Sequence, residues 1–103
     1  MKHLNIKVYG KVQGIFFRAS AKIEADKLQI SGFVRNEPDG SLYIEAEGEK
    51  EKLDEFVKWC HQGPSLAQVE KVTVTESQVK NFSQFEIYQT TFSQGNSSRP
   101  KWP

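Results

Sequence analysis

The chain has 103 residues, a hydrophobic fraction of 37% and a formal charge of +1, from 14 basic and 13 acidic side chains. That length fits one domain able to bury roughly two-thirds of its unfolded surface, and the composition argues against a disordered chain or one built of membrane-spanning helices. The near-neutral total also argues against a general polyanion binder, whose domain pI usually lies above about 9.

Residues 3–9 alternate, with Leu4, Ile6 and Val8 on one face and Asn5, Lys7 and Tyr9 on the other. This predicts a strand, with His3 as a surface residue at its end. The strand runs into Gly10-Lys11-Val12-Gln13-Gly14, a loop whose two glycines permit tight turns and close approach to a ligand. Over 16–28, Phe17, Ala21, Ala25 and Leu28 take the spacing of one helical face, and the small residues among them let the helix lie close to a sheet. A strand over 30–36, the turn Glu37-Pro38-Asp39-Gly40 and a strand over 41–48 are expected to form a hairpin. Pro sets φ at the second turn position and Gly accepts the fourth. In the later strand Leu42, Ile44 and Ala46 are expected inward, with Tyr43, Glu45 and Glu47 outward.

Leu53, Phe56, Val57 and Cys60 then mark one face of a second helix, stopped by Gly63-Pro64. Glu49 and Glu51 near its start and Lys58 and His61 near its end suit the helix dipole. Two more strands are expected over 69–76, with Val72 and Val74 inward, and over 85–91, with Phe85 and Ile87 inward. Residues 93–103 have turn and linker composition and read as a flexible tail. The order β-α-β-β-α-β plus a short final strand is the split βαβ arrangement. It predicts an α+β, ferredoxin-like fold with an antiparallel sheet and two helices on one face, the other face being partly wet. That fold hosts many functions, so function must be read from a site.

Charge is distributed unevenly. Residues 1–18 contain Lys2, Lys7, Lys11 and Arg18, with no acidic side chain before Glu24. A glycine-bounded loop, an immediately following helix start and Arg18 in its first turn together have the geometry that a phosphate needs. Arginine's planar fork suits a phosphoryl group better than lysine does. On spacing alone two readings stay open, an anion site or a plain strand-to-helix turn with a surface arginine. Neither Gly-x-Gly-x-x-Gly nor a Gly-Lys-Ser/Thr loop is present, so no nucleotide pocket is indicated.

Gly10-Lys11-Val12-Gln13-Gly14-Ile15-Phe16-Phe17-Arg18 resembles the signature loop of the acylphosphatases, Gly-x-Val-Gln-Gly-Val-x-Phe/Tyr-Arg, with Ile15 in place of the usual valine. Gly32-Phe33-Val34-Arg35-Asn36, followed closely by Asp39-Gly40, resembles the family's second signature. The resemblance covers residues 3–92 and implies a compact, cytosolic, ferredoxin-like hydrolase. Such an enzyme cleaves the carboxyl-phosphate bond of acyl phosphates without a metal or other cofactor. Carried over by position, it makes Arg18 the phosphate-binding arginine and Asn36 the residue that positions the attacking water. Backbone N–H groups of Lys11, Val12, Gln13, Gly14, Ile15, Phe16 and Phe17 would hold the phosphoryl oxygens. The expected partner is a small acyl phosphate met by a monomer, with no nucleic acid and no membrane.

The chemistry of the residues agrees. Arg18 cannot serve as a base and an amide does not titrate, so Asn36 can only orient water. Neither motif contains a His, a Cys or paired carboxylates, so no covalent intermediate is expected. The remaining candidates read blandly. Cys60 is a small core residue that excludes an internal disulfide, His61 a helix-end charge partner, and Glu45, Glu47, Glu49 and Glu51 a solvated face. Phe17 belongs to the core, while Phe16 either lines the acyl side of the site or packs. An RNA-binding sheet is one alternative, but the required Lys/Arg-Gly-Phe/Tyr-Gly/Ala-Phe-Val-x-Phe/Tyr stretch is missing and the third strand's outward face is acidic. Acylphosphatase-like domains also occur inside larger proteins that handle carbamoyl phosphate.

Overall fold

The computed structural model describes residues 1–89. Alternating apolar residues form β1 (Lys2–Lys11), after which the helical face at Phe17, Ala21 and Ala25 builds α1 (Phe17–Lys27). The hairpin of β2 (Ser31–Asn36) and β3 (Leu42–Gly48) follows, then α2 (Lys50–Gln62), β4 (Gln68–Ser77) and β5 (Phe85–Ile87). The sheet order is β4-β1-β3-β2-β5. β1 lies antiparallel to both β3 and β4, and β2 antiparallel to β3. The expected ferredoxin-like α+β fold is therefore present. β5 adds to the outer edge of β2 in parallel, which makes the sheet mixed.

The core lies between one sheet face and the helices. Ile6, Val8, Val34, Leu42, Ile44 and Ala46 from the sheet meet Phe17, Ala21, Ala25, Leu53, Phe56 and Cys60 from the helices. Burial of these side chains is the main stabilising term. Aromatic edges interlock there: Phe17 against Trp59 at 5.2 Å and Phe56 against Phe85 at 5.9 Å between ring centroids. Cys60 is fully buried, as a small core residue should be, and burial pushes its thiol well above the usual range.

The opposite face departs from expectation. His3 was expected at the surface and Glu45 and Glu47 in water, yet His3 and Glu47 are buried and Glu45 nearly so. Register explains why they meet, since His3 sits opposite Glu47 and Asn5 opposite Glu45. His3 Nδ1 lies 2.7 Å from Glu47 Oε2, and His3 Nε2 lies 3.0 Å from Asn5 Oδ1 and 3.1 Å from Glu45 Oε1. The segment 78–84, joining β4 at one sheet edge to β5 at the other, covers them. Glu47 accepts hydrogen bonds from the backbone N–H groups of Lys80 and Phe82, Lys80 Nζ reaches Glu45 at 3.0 Å, and the Phe82 ring stacks on His3. Alternation along a strand tells which residues share a face, not what lies on it. With these carboxylates internal, an acidic outer face on the third strand no longer bears on nucleic-acid binding.

Val74 is also corrected. It was expected inward but is 40% exposed, because β4 is an edge strand with a neighbour on one side only. Of the expected final strand over 85–91, the described residues form β5, after which the Tyr88 N–H still donates to the Val34 carbonyl at 2.9 Å; residues 90 and 91 lie outside the described residues. The tail over 93–103 lies outside the described residues.

Candidate active site

The loop between β1 and α1 needs its two glycines for different reasons. At Gly10, β1 shifts register against β4, and φ is +129°. A Cβ there would stand 2.1 Å from the Gln68 carbonyl oxygen, so backbone fills the space that a side chain needs. Gly14 has open space around it but a φ of +78°, which L residues adopt at a cost. Phe16 is likewise left-handed (φ 65°, ψ 22°), occupies the cap position of α1 and is 80% exposed. No side chain caps α1 and no acid lies in its first turn, so its opening N–H groups keep their partial positive charge.

Arg18, the second residue of α1, donates from Nη1 to the Tyr88 carbonyl at 2.7 Å. One arm of the guanidinium is thereby fixed to the chain just after β5. Among the described residues no carboxylate lies within ion-pair distance of Arg18. Lys7 pairs with Asp39 at 3.4 Å and Lys2 with Glu76 at 3.2 Å. The positive charge of the N-terminal unit thus remains open at Arg18, while two of its lysines are partnered. Asn36 closes β2, and its Oδ1 is buried without a hydrogen-bond donor among the described residues. A buried amide oxygen left in this condition is costly in a structural role, at about 1–3 kcal/mol.

Arg18 and Asn36 border one cleft of about 310 Å³, together with Val12, Gly14, Phe16, Phe17, Ala19, Ile87 and Gln89. Of the residues singled out in the sequence, Lys11, Gln13 and Ile15 do not line it. Lys11 ends β1 opposite Gln68, and Ile15 packs against the core. Gln13 turns its amide to the β2–β3 turn, where Nε2 donates to the carbonyls of Glu37 at 2.8 Å and Ser41 at 2.9 Å. Phe17 is core, as expected, and also forms part of the cleft floor. Ile87, Gln89 and the Tyr88 carbonyl were missed. They come from the end of β5, which only parallel addition beside β2 brings against Asn36 and Arg18. Ala19, one residue beyond the first motif, was missed as well.

The sequence model of the acylphosphatase family matches residues 4–87. The chain belongs to that family. It is 49% identical to the acylphosphatase of Rubrobacter xylanophilus over 75 residues, covering 73% of this chain and 68% of that protein. It is 42% identical to the acylphosphatase of Methylococcus capsulatus over 88 residues, covering 84% and 96%. The crystal structure of acylphosphatase from Bacillus subtilis superposes with a TM-score of 0.83 at 38% identity, covering 84% of this chain and 98% of that one. Acylphosphatase membership fixes the reaction class, hydrolysis of acyl phosphates, and the ferredoxin-like fold agrees with it. The two stretches that resemble the family's signatures supply Val12, Gly14, Phe16, Phe17, Arg18 and Asn36 to the cleft just described, and Ala19, Ile87 and Gln89 complete it.

As chemistry, this cleft offers one fixed cation, uncapped helix amides and one buried amide oxygen. Among the described residues lining it, none titrates near neutral pH and none is a nucleophile. No three His, Cys, Asp or Glu side chains among the described residues form a metal-ligating group. No helix among them is long and apolar enough to cross a membrane.

Proposed function

We propose that the chain hydrolyses acyl phosphates without a metal, holding the phosphoryl group on Arg18 and the backbone N–H groups of the loop residues that line the cleft, Val12, Gly14, Phe16 and Phe17, while Asn36 positions the attacking water. The observation that carries this reading is the meeting of Arg18 and Asn36 at one cleft, with the Asn36 Oδ1 buried and lacking a donor among the described residues. Phosphoryl transfer asks for positioning and charge stabilisation more than for covalent help. A water donating one hydrogen to Asn36 Oδ1 directs a lone pair at phosphorus. Its oxygen bonds to phosphorus as the bond from phosphorus to the acyl oxygen breaks. The carboxylate leaves with that electron pair, and the water's second proton passes to a phosphoryl oxygen. The carboxylate is a good leaving group, so no general acid is needed. Arg18 stabilises charge on the phosphoryl oxygens, held in place by its bond to the Tyr88 carbonyl.

The catalytic unit is residues 3–92, which contain the matched span 4–87. In this reading the acting species is a monomer and its substrate a small acyl phosphate. Phosphate release from acetyl phosphate, with a chelator present throughout, tests the whole assignment. Two charge-assisted hydrogen bonds of roughly 1.5–3 kcal/mol each are at stake at Arg18, so Arg18→Ala should lower kcat/KM at least about a hundredfold. Asn36→Ala should lower kcat by about the same factor, the scale of losing reactant alignment, with little change in phosphate inhibition. Full kcat in Asn36→Ala would remove its role, and loss of wild-type turnover in chelator would remove metal independence.

A further inference from the structure

We propose that the Gln13 side chain is a positioning residue that sets the distance between the phosphate-holding loop and Asn36; this rests on the water-positioning reading of Asn36. Phosphate and water are held by different parts of the chain. The loop follows β1 and leads into α1, whereas Asn36 stands at the end of β2, at the mouth of the β2–β3 hairpin. In-line attack needs the two held in fixed relation. Among the described residues, the hydrogen bonds that tie residues 11–16 to the turn after Asn36 are those of the Gln13 amide. Nε2 uses both hydrogens, one to the carbonyl of Glu37, the residue next to Asn36, and one to that of Ser41 across the turn.

Neither carbonyl depends on Gln13 for its satisfaction. Glu37 O also accepts from the Gly40 N–H at 3.1 Å, and Ser41 O from the Glu37 N–H at 2.8 Å. The turn is therefore closed by its own backbone, and Asp39 Oδ1 further fixes Ser41 through its N–H and hydroxyl. Two further hydrogen bonds to an already closed turn do little for the turn itself. Their consequence is placement, since they fasten the loop to the hairpin that carries Asn36. Gln13 is half-buried and does not line the cleft, so it acts on substrate only through what it holds.

The test is a double-mutant cycle on the full chain. Gln13→Met keeps the length and bulk of the side chain and removes the amide, leaving each carbonyl its backbone donor. Measured with acetyl phosphate, kcat should fall about tenfold or more, because small misplacements of reacting groups are expensive. Inhibition by inorganic phosphate should stay within about twofold, since the loop amides and Arg18 move together. In an Asn36→Ala background the same substitution should change kcat by less than about twofold, since the group it positions is gone. Gln13→Asn, one methylene shorter, should behave as Gln13→Met does, which guards against a folding defect peculiar to one variant. Equal factors in the two backgrounds, or kcat within twofold of wild type for both Gln13 variants while Asn36→Ala is slow, would overturn the proposal and leave the Asn36 assignment standing. A fast Asn36→Ala would instead remove that assignment and this proposal with it.

Discussion

At the scale of single residues, two glycines that look alike in the sequence differ in what they tolerate. Gly14 has open space where a Cβ would stand, so its only barrier to substitution is the left-handed backbone at φ +78°. Gly14→Ala should therefore cost about 1–2 kcal/mol, and Gly14→Asn less, because asparagine visits that region more readily. At Gly10 the same strain adds to a Cβ placed 2.1 Å from the Gln68 carbonyl oxygen and 2.8 Å from the Glu70 nitrogen. Backbone cannot yield there without parting β1 from β4, so Gly10→Ala should cost more than both Gly14 variants. Urea unfolding of the three proteins checks the ranking, and a Gly10→Ala protein as stable as wild type would contradict it. The sequence made both glycines visible as loop boundaries. Nothing in it distinguished the one pressed against a neighbouring strand from the one that only turns.

At the scale of elements, the helices and strands were legible because their apolar periods are regular, and the face at Phe17, Ala21, Ala25 and Leu28 is the one buried. The coil over 78–84 has no period, so its position over His3, Glu45 and Glu47 was not legible. Those buried carboxylates make a prediction about acid. Burial by itself raises the Glu47 pKa, but the backbone N–H groups of Lys80 and Phe82 and the His3 ring outweigh it and hold the carboxyl below its usual value of 4.5. Glu45 is likewise held low against burial by the Tyr43 hydroxyl and Lys80. A lowered native pKa gives stability that is fully present above the unfolded value. It is lost as pH falls from about that value through the native one. Stability should therefore drop on acidification below roughly pH 4.5. Glu47→Gln should lower stability by about 2–3 kcal/mol at pH 7, because hydrogen bonds to a charged acceptor are replaced by weaker ones. It should also flatten the acid limb. Denaturant midpoints at a series of pH values measure both, and an unchanged acid limb in Glu47→Gln would refute the assignment.

For the molecule as a whole, the cleft lies where separate parts of the fold converge: the loop after β1, the start of α1, the end of β2 and the residues around the end of β5. The two signatures supplied the first three in the sequence. The fourth was hidden, because placing Ile87, Gln89 and the Tyr88 carbonyl depends on β5 pairing in parallel with β2, and a backbone carbonyl has no residue signature. An anion seated there would contact elements from both ends of the described chain, so its binding must be linked to global unfolding. Inorganic phosphate at ten times its dissociation constant should stabilise the fold by about 1.4 kcal/mol, from RT ln(1 + [L]/Kd). For a domain near 100 residues that is a rise in Tm of roughly 5–10 °C. The rise should persist in chelator and should saturate with phosphate rather than track ionic strength, which matched chloride controls separate. In Arg18→Ala most of it should vanish, because the guanidinium at the cleft, which no carboxylate among the described residues neutralises, is gone. An equal rise in that variant would mean that phosphate stabilises the chain from some other place, and the cleft would lose its claim to the substrate's phosphoryl group.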